Sequence, residues 1–320
     1  MIHPHPSATI GTDPEQAASL LRSGDIVAIP TETVYGLAAN AFEEAAVLQV
    51  FAAKQRPSFD PLIVHIGRRE DVHRVARELP PGAEALMDAF WPGPLTLVLP
   101  KQAVVPDIVT SGLDTVGVRM PAHPLTLELL RQLEFPLAAP SANPFGYVSP
   151  TTAQHVADQL GEKVPYILDG GPCTVGVEST ILGWEAGAWR LYRPGGIGVE
   201  AIEAVIGRVE PAVKQVLPVA PGMLESHYAP RRPVYIGDIP ALLAKHAGRV
   251  GVISFTTPYE AARCEVLSPA GDLEEAARHL FAALRTLDAS DVDVILAEVF
   301  PDHGLGRAIN DRLRRAAAKR

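Results

Sequence analysis

Short apolar runs alternate with amphipathic stretches along the first two thirds of the chain. "PEQAASLLRSG" (14–24) has apolar residues at helical spacing and predicts a helix stopped by Gly24. "DIVAIP" (25–30) predicts a buried strand, and "FEEAAVLQVFAAKQR" (42–56) a helix ended by Pro57. "PLIVHI" predicts a strand and "REDVHRVAREL" a helix. "LTLVLP", "TVGVRMP", "FPLAAPSAN", "PYILDGG", "STILGW" and "AWRLYRPG" read as further strands. "SPTTAQHVADQLG" reads as a helix with Ser149 or Thr151 as N-cap and Gly161 at its end. So many strands with fewer helices predict a mixed sheet, not a parallel βαβ ladder.

From about 209 to 231 the periodicity fades into "VEPAVKQVLPVAPGMLESHYAPRR", where prolines, a glycine and polar residues predict a linker. "HYAP" is rich for a spacer, because it sets an imidazole beside a phenol. The pattern then resets: "RPVYIG" strand, "IPALLAKHAG" helix, "RVGVISF" strand, "CEVLS" strand, "DLEEAARHLFAALRTLDAS" helix, "VDVILAEVF" strand, "LGRAINDRLRRAAAK" helix. That alternation predicts a small, largely parallel α/β domain. The expected partition is 1–208, a linker at 209–231, and 232–320.

Composition narrows the class. The 320 residues are 47% hydrophobic and 20% charged, enough to bury a real core. A formal net charge of -9 and 6% aromatic residues argue against nucleic acid as the main partner. Cys173 and Cys264 lie far apart in no ligand-like spacing, so neither a disulfide framework nor a zinc site is expected. "MIHPHPSATIG" lacks the features of a signal peptide, and no apolar run reaches the roughly 18 residues of a membrane span. A reducing cytoplasm is the expected compartment.

Common chemical motifs are missing. "GPCTVGVES" has the glycine spacing of a P-loop but carries Val177 and Glu178 where Lys and Ser/Thr belong. "HGLGRAIN" lacks the third glycine of a dinucleotide fingerprint. The remaining polar residues gather at strand ends, where open α/β sheets place ligands. "PTETVYGLAANA" (30–41), read as following a strand and preceding a helix, serves equally as a capping turn, with Thr31 or Thr33 as cap and Glu32 as dipole partner. Lys54 and Arg56 at a helix end suit the helix dipole. In "PLIVHI" the period of two sets Leu62, Val64 and Ile66 against Ile63 and His65, and a lone strand histidine is ordinarily a core residue. In "TVGVRMP" the same arithmetic pairs Gly117 with Arg119. An arginine there is costly to bury unpaired and calls for an anion. Ser141 and Asn143 follow a strand, Ser149 stands at an expected helix start, Glu178, Ser179 and Thr180 start a strand, and Arg193 precedes a Pro–Gly–Gly turn. Each has a plain structural use. Together they describe an anion-binding cleft with hydroxyl readers, suited to a nucleoside triphosphate and a small zwitterion.

In this order, "PTETVYGLAANA", "KQRPSFDPLIVHI", "FWPGPLTLVLP", "VGVRMPAHP", "APSANPFGYVSPTTAQHV", "GVESTIL" and "RPGGI" resemble the threonylcarbamoyl-AMP synthases in their long, two-domain form, across essentially the whole chain. The resemblance implies a twisted mixed-sheet α/β YrdC-like catalytic domain with a concave, positively charged cleft, plus a small Rossmann-like α/β C-terminal domain. It implies ATP, L-threonine and bicarbonate as substrates, with Mg²⁺, and threonylcarbamoyl-AMP and pyrophosphate as products. A separate transferase complex would pass the threonylcarbamoyl group to the adenosine beside the anticodon of certain tRNAs. By the same resemblance Lys54 and Arg56 bind the phosphates, with Asp60 near the nucleotide. Thr115, Ser141, Asn143, Ser149 and Arg193 line the ATP side. Thr33, His65, Arg119 and Ser179 form the threonine pocket, with Arg119 pairing the carboxylate. Tyr228 folds over the cleft as part of a lid that excludes water. No protein metal ligands are assigned. Three other readings compete: an RNA-binding module using the concave cationic face, a carbamoyl-handling enzyme of hydrogenase maturation, and an amino-acid sensor. The hydrogenase enzymes use larger chains with zinc-type cysteine motifs, and this chain has neither.

Overall fold

A computed structural model describes residues 8–212 and 220–318. The stretch 213–219, inside the expected linker, lies outside the described residues. Among those described, eleven strands form one mixed sheet, in the spatial order Thr9–Gly11, Tyr166–Leu168, Val27–Ile29, Gly36–Asn40, Leu137–Ala138, Ile63–His65, Thr115–Arg119, Leu95–Pro100, Thr180–Glu185, Ala188–Arg193 and Glu210–Pro211. A second sheet of four parallel strands runs Val234–Ile236, Val294–Ala297, Val250–Ser254, Arg263–Val266. The mixed sheet followed by a parallel one agrees with the strand-rich and then alternating sequence patterns.

Strand parity places the chemistry. Ile63–His65 runs parallel to Thr115–Arg119 in the register Ile63 to Gly117 and His65 to Arg119. Leu62, Val64, Ile66, Val116, Val118 and Met120 all enter the main core on one face. The alternation then turns Ile63, His65 and Arg119 to the other face, side by side. Helix Glu44–Lys54 buries Ala46, Val47, Val50, Phe51 and Ala53. It ends where Gln55 takes a left-handed conformation (φ 53°) ahead of Pro57, which leaves Lys54 in its last turn.

Several local expectations are corrected. "REDVHRVAREL" yields only a 3-10 turn, Arg69–Asp71, and a short helix, Val72–Val75. Ala76 is extended and bridges Lys101, so strand pairing wins over helical periodicity there. "FPLAAPSAN" forms strand only at Leu137–Ala138. The segment from Pro30 leads first into strand Gly36–Asn40, not directly into a helix. Thr31 still ties the turn, because its Oγ1 accepts from Val34 N at 3.2 Å and donates to Val34 O at 2.6 Å. Helix Ala153–Leu160 is capped by Thr152, whose hydroxyl accepts from His155 N, and neither Ser149 nor Thr151 does that work.

The two sheets share a core. Val34, Val148 and Val177 pack in one apolar cluster with Tyr228, Phe281, Leu284 and Ile309. Helix Leu273–Ala289 crosses this boundary. Its Arg285 donates to Ser149 O at 3.1 Å and to Gln159 Oε1 at 3.0 Å. Its buried Asp288 accepts from Tyr147 Oη at 2.5 Å and from Arg232 N at 2.9 Å. No helix among the described residues is long and apolar enough to cross a membrane.

Candidate active site

A cavity of about 50 Å³ opens where the strands bearing His65 and Arg119 meet the segment 220–229. Thr33, Arg56, His65, Arg119, Ser141, Ser179, Arg193 and Tyr228 line it, together with Glu178 and His227. Lys54, Asp60, Asn143 and Ser149 are buried but are not part of the cavity wall. Thr115 shares Arg119's face of the strand but stands four residues, about 13 Å, further along it and off the cavity wall.

The loop after helix Glu44–Lys54 folds back on its own cation. Arg56 pairs with Asp60 at 2.9 Å and donates to Asp60 O and Pro61 O at 3.1 and 2.9 Å. Burial pushes the Asp60 carboxyl up, against the pull of Arg56 and Lys54. Lys54 Nζ donates to the carbonyls of Ser141 and Asn143. Burial, then the neighbouring Arg56 charge, push its pKa well down. The Asn143 amide donates to Pro144 O and Tyr147 O, which fixes the loop that Lys54 grips.

On the adjoining strands, Arg119 pairs with Glu32 at 2.7 Å and donates to Thr33 Oγ1 at 3.0 Å and Gly93 O at 3.2 Å. Burial, then the Arg119 charge, push His65 down to about 3, so it is neutral at physiological pH. Its Nδ1 lies 3.2 Å from Ile63 O. Ser179 Oγ is 2.8 Å from Thr96 Oγ1. Arg193 donates to Ser179 O at 3.0 Å and to Ser179 Oγ at 3.2 Å, and on its other side to Pro221 O at 3.0 Å.

Segment 220–229 closes the cleft. Tyr228 is 1% exposed and has φ 59°, a conformation bulky residues rarely take. Its ring packs on His227 (centroids 4.2 Å apart) and Phe281 (5.6 Å), and these contacts hold it there. Among the described residues, Tyr228 Oη and His227 Nδ1 are buried without hydrogen-bond partners.

Thr96 and Arg312 escaped the sequence reading of the site, and Glu32 and His227 were noted there without an assigned role in the cleft. Glu32 is the buried partner of Arg119 rather than a dipole partner. Thr96 orients Ser179, and His227 joins the wall beside Tyr228. Arg312, on helix Leu305–Ala317, pairs with Glu178 at 2.7 Å. Its signal was available. Ala308, Ile309, Leu313 and Ala316 form the apolar stripe of that helix, and Arg312 falls on the same stripe.

Five buried cations, Lys54, Arg56, Arg119, Arg193 and Arg312, thus converge with three carboxylates, and each carboxylate is held by an arginine. The site is built to neutralise anionic groups by fixed charges and hydroxyls in a dry setting. Fold and cleft together are those of an α/β protein whose buried cationic cleft suits anionic groups.

Residues 19–195 match the family model described as "Telomere recombination", and residues 197–318 match that of the "Threonylcarbamoyl-AMP synthase, C-terminal domain". The chain is 49% identical to the threonylcarbamoyl-AMP synthase of Pyrococcus abyssi, over 95% of this chain and 94% of that protein. It is 45% identical to that of Bacillus subtilis, over 96% and 94%. The crystal structure of P. abyssi Sua5 complexed with L-threonine superposes with a TM-score of 0.89 at 45% identity, covering 95% of this chain and 94% of that one. The chain belongs to the threonylcarbamoyl-AMP synthase family, in its two-domain form, and is a nucleotidyltransferase.

Proposed function

We propose that the cleft binds ATP, L-threonine and bicarbonate and joins them into threonylcarbamoyl-AMP, with release of pyrophosphate. The observation that carries this reading is the make-up of the cavity wall. It holds two sets of groups: Thr33, neutral His65, Arg119 and Ser179, and the cations Arg56 and Arg193, with Lys54 buried beyond the wall. The first set suits a small zwitterion and the second a polyphosphate. The P. abyssi relative was crystallised with L-threonine, which supports the first assignment.

In this reading the amine of threonine combines with bicarbonate to give a carbamate and water. A carbamate oxygen attacks the α-phosphorus of ATP, and the bond to the β,γ-pyrophosphate breaks. The carbamate is already anionic, so no side-chain nucleophile is required, and catalysis rests on alignment and charge neutralisation. Arg119 offers Nη2 to Glu32 and Nη1 to Thr33, so the substrate carboxylate would compete with the Thr33 contact. Ser141, Asn143, Ser149 and Asp60 would shape the nucleotide side. Thr115 would serve only a ligand that extends along the strand. Glu32, Asp60 and Glu178 are engaged by arginines, so Mg²⁺ would enter on the phosphates of ATP and not on a protein ligand set.

Nucleotide-sized ligands occupy pockets of about 300–1,000 Å³, well above the 50 Å³ left here, so segment 220–229 would withdraw to admit ATP. Returned, it would shield the carbamate from water. The product would go to a separate transferase acting on the tRNA adenosine beside the anticodon. Two free cysteines suit the reducing cytoplasm in which that work is done.

The test is pyrophosphate release from ATP and Mg²⁺, with and without bicarbonate and L-threonine, and with L-serine as control. Release that needs both threonine and bicarbonate is the expected result. Threonine-independent release, or none from folded protein that binds ATP, would overturn the reading.

A further inference from the structure

Helix Leu305–Ala317 sends one fully buried side chain, Arg312, out of its own domain. Arg312 sits on the apolar stripe of that helix with no exposed surface. A buried guanidinium is costly unless its donors are used. Nε donates to Glu178 Oε2 at 2.7 Å, and Nη1 donates to Pro194 O at 3.0 Å and Asp311 Oδ2 at 2.7 Å. The guanidinium carbon stands 5.1 Å from the centroid of the Tyr228 ring. Nη2 is buried and has no partner among the described residues.

Apart from Asp311 on its own helix, each contact leads to the cleft. Glu178 also accepts from Ser149 Oγ at 2.6 Å, and it immediately precedes Ser179. Pro194 follows Arg193, and Tyr228 is the aromatic cover. One turn further on, Arg315 secures the backbone of the same cover. It donates to Leu224 O, and its carbonyl accepts from His227 N at 3.2 Å.

We propose that Arg312 is a positioning residue for the reaction. It fixes Glu178, and through it Ser149 and the strand start bearing Ser179, while it seats Tyr228 over the cleft. The C-terminal domain is then a working part of the catalytic site. The proposal rests on the function proposed above. The competing account is a simple tether between domains, and the exposed pair Arg307–Glu200 (3.0 Å) on the same helix has the geometry of one.

Arg312→Lys keeps the charge and loses the fork, and Arg307→Ala serves as the tether control. Two readouts are taken on the full chain at a temperature where each variant is folded: pyrophosphate-release kinetics, and hydrogen exchange of the amides of 220–229. Arg312→Lys is expected to lower kcat/KM for ATP about tenfold or more, as loss of charge-assisted bonds does, and to speed exchange across 220–229. Arg307→Ala should change neither. A merely structural arginine would lower Tm and leave kcat/KM of the folded protein unchanged. If Arg312→Lys does not fold, Arg312→Met with Glu178→Gln removes both charges together and strands neither. It carries the same two expectations. Wild-type kinetics and exchange in these variants, or equal losses in Arg307→Ala, would overturn the proposal. Exchange reports on positioning whatever the reaction is. Faster exchange in a protein whose wild type releases no pyrophosphate would therefore sink the functional reading and the catalytic part of this proposal, and leave Arg312 as the seat of Tyr228.

Discussion

His65 is neutral because of where it stands, buried and in register with a fixed guanidinium. His227 is likewise pushed well below 6.5, by burial and then by Arg56, Lys54 and other cleft cations. In the unfolded chain both would take up a proton near 6.5, and in the folded chain they do not. Below that pH the unfolded state binds more protons. Stability is therefore full above about 6.5 and falls as the pH drops toward the folded values, by about 1.4 kcal/mol per pH unit for each histidine. Urea unfolding at pH 7 and pH 5 should show this loss, and His65→Asn should remove part of it. Equal stability at the two pH values would contradict the account. The Arg56–Asp60 pair sets the design of the activity test. Arg56→Ala alone would leave Asp60 buried and unpaired, at a cost of about 3–5 kcal/mol. Arg56→Gln with Asp60→Asn is expected to fold and still lose most pyrophosphate release, roughly 10- to 100-fold for one lost charge-assisted contact. Wild-type turnover of that double variant would remove Arg56 from the phosphate site.

Among the elements, the alternating strands were the most legible, although Gly36–Asn40 was not read as one. A period of two needs only the local sequence to say which residues share a face: it grouped Ile63 with His65 and Gly117 with Arg119, and the sheet register then set His65 beside Arg119. Helix ends were less legible, because caps and bridges depend on partners from elsewhere in the chain. Ser149 is drawn off by Glu178, and Ala76 by Lys101. Helix Leu273–Ala289 shows the same dependence at its last turn. Its Asp288 looks like an ordinary polar residue in sequence, yet it is 2% exposed and gathers Tyr147, Arg231 and Arg232. Burial alone would raise this carboxyl, but those donors outweigh it and hold it low. Asp288→Ala leaves the Arg232 amide and the Tyr147 hydroxyl without their acceptor, and should cost about 1–3 kcal/mol. Thermal denaturation should register a drop of several degrees, and an unchanged Tm would show that water replaces the carboxylate at no cost.

At the scale of the whole molecule, the sequence pattern showed where one alternation ends and another begins, but not that the two parts share a core. Long-range packing has no local signature. Val34, Val148 and Val177 from the large-sheet part meet Phe281 and Leu284 from the small one, with Tyr228 between them. A shared core couples unfolding of its halves, so calorimetry should give one cooperative transition, with coincident loss of tertiary and secondary signals. Two separated transitions would mean that the interface is weaker than its packing. Arg312 was legible only in part: its place on an apolar stripe marks it as buried, but its target lies 134 positions away.

The near-full cleft also has a bearing on time. A ligand that enters only when a covering segment withdraws cannot bind faster than that segment opens. In stopped-flow experiments the observed rate of ATP association should therefore rise with concentration and then level off at the opening rate. A substrate small enough to slip past Tyr228 would instead show a rate that keeps climbing. The relative shape of the two curves would reveal which substrate waits for the other.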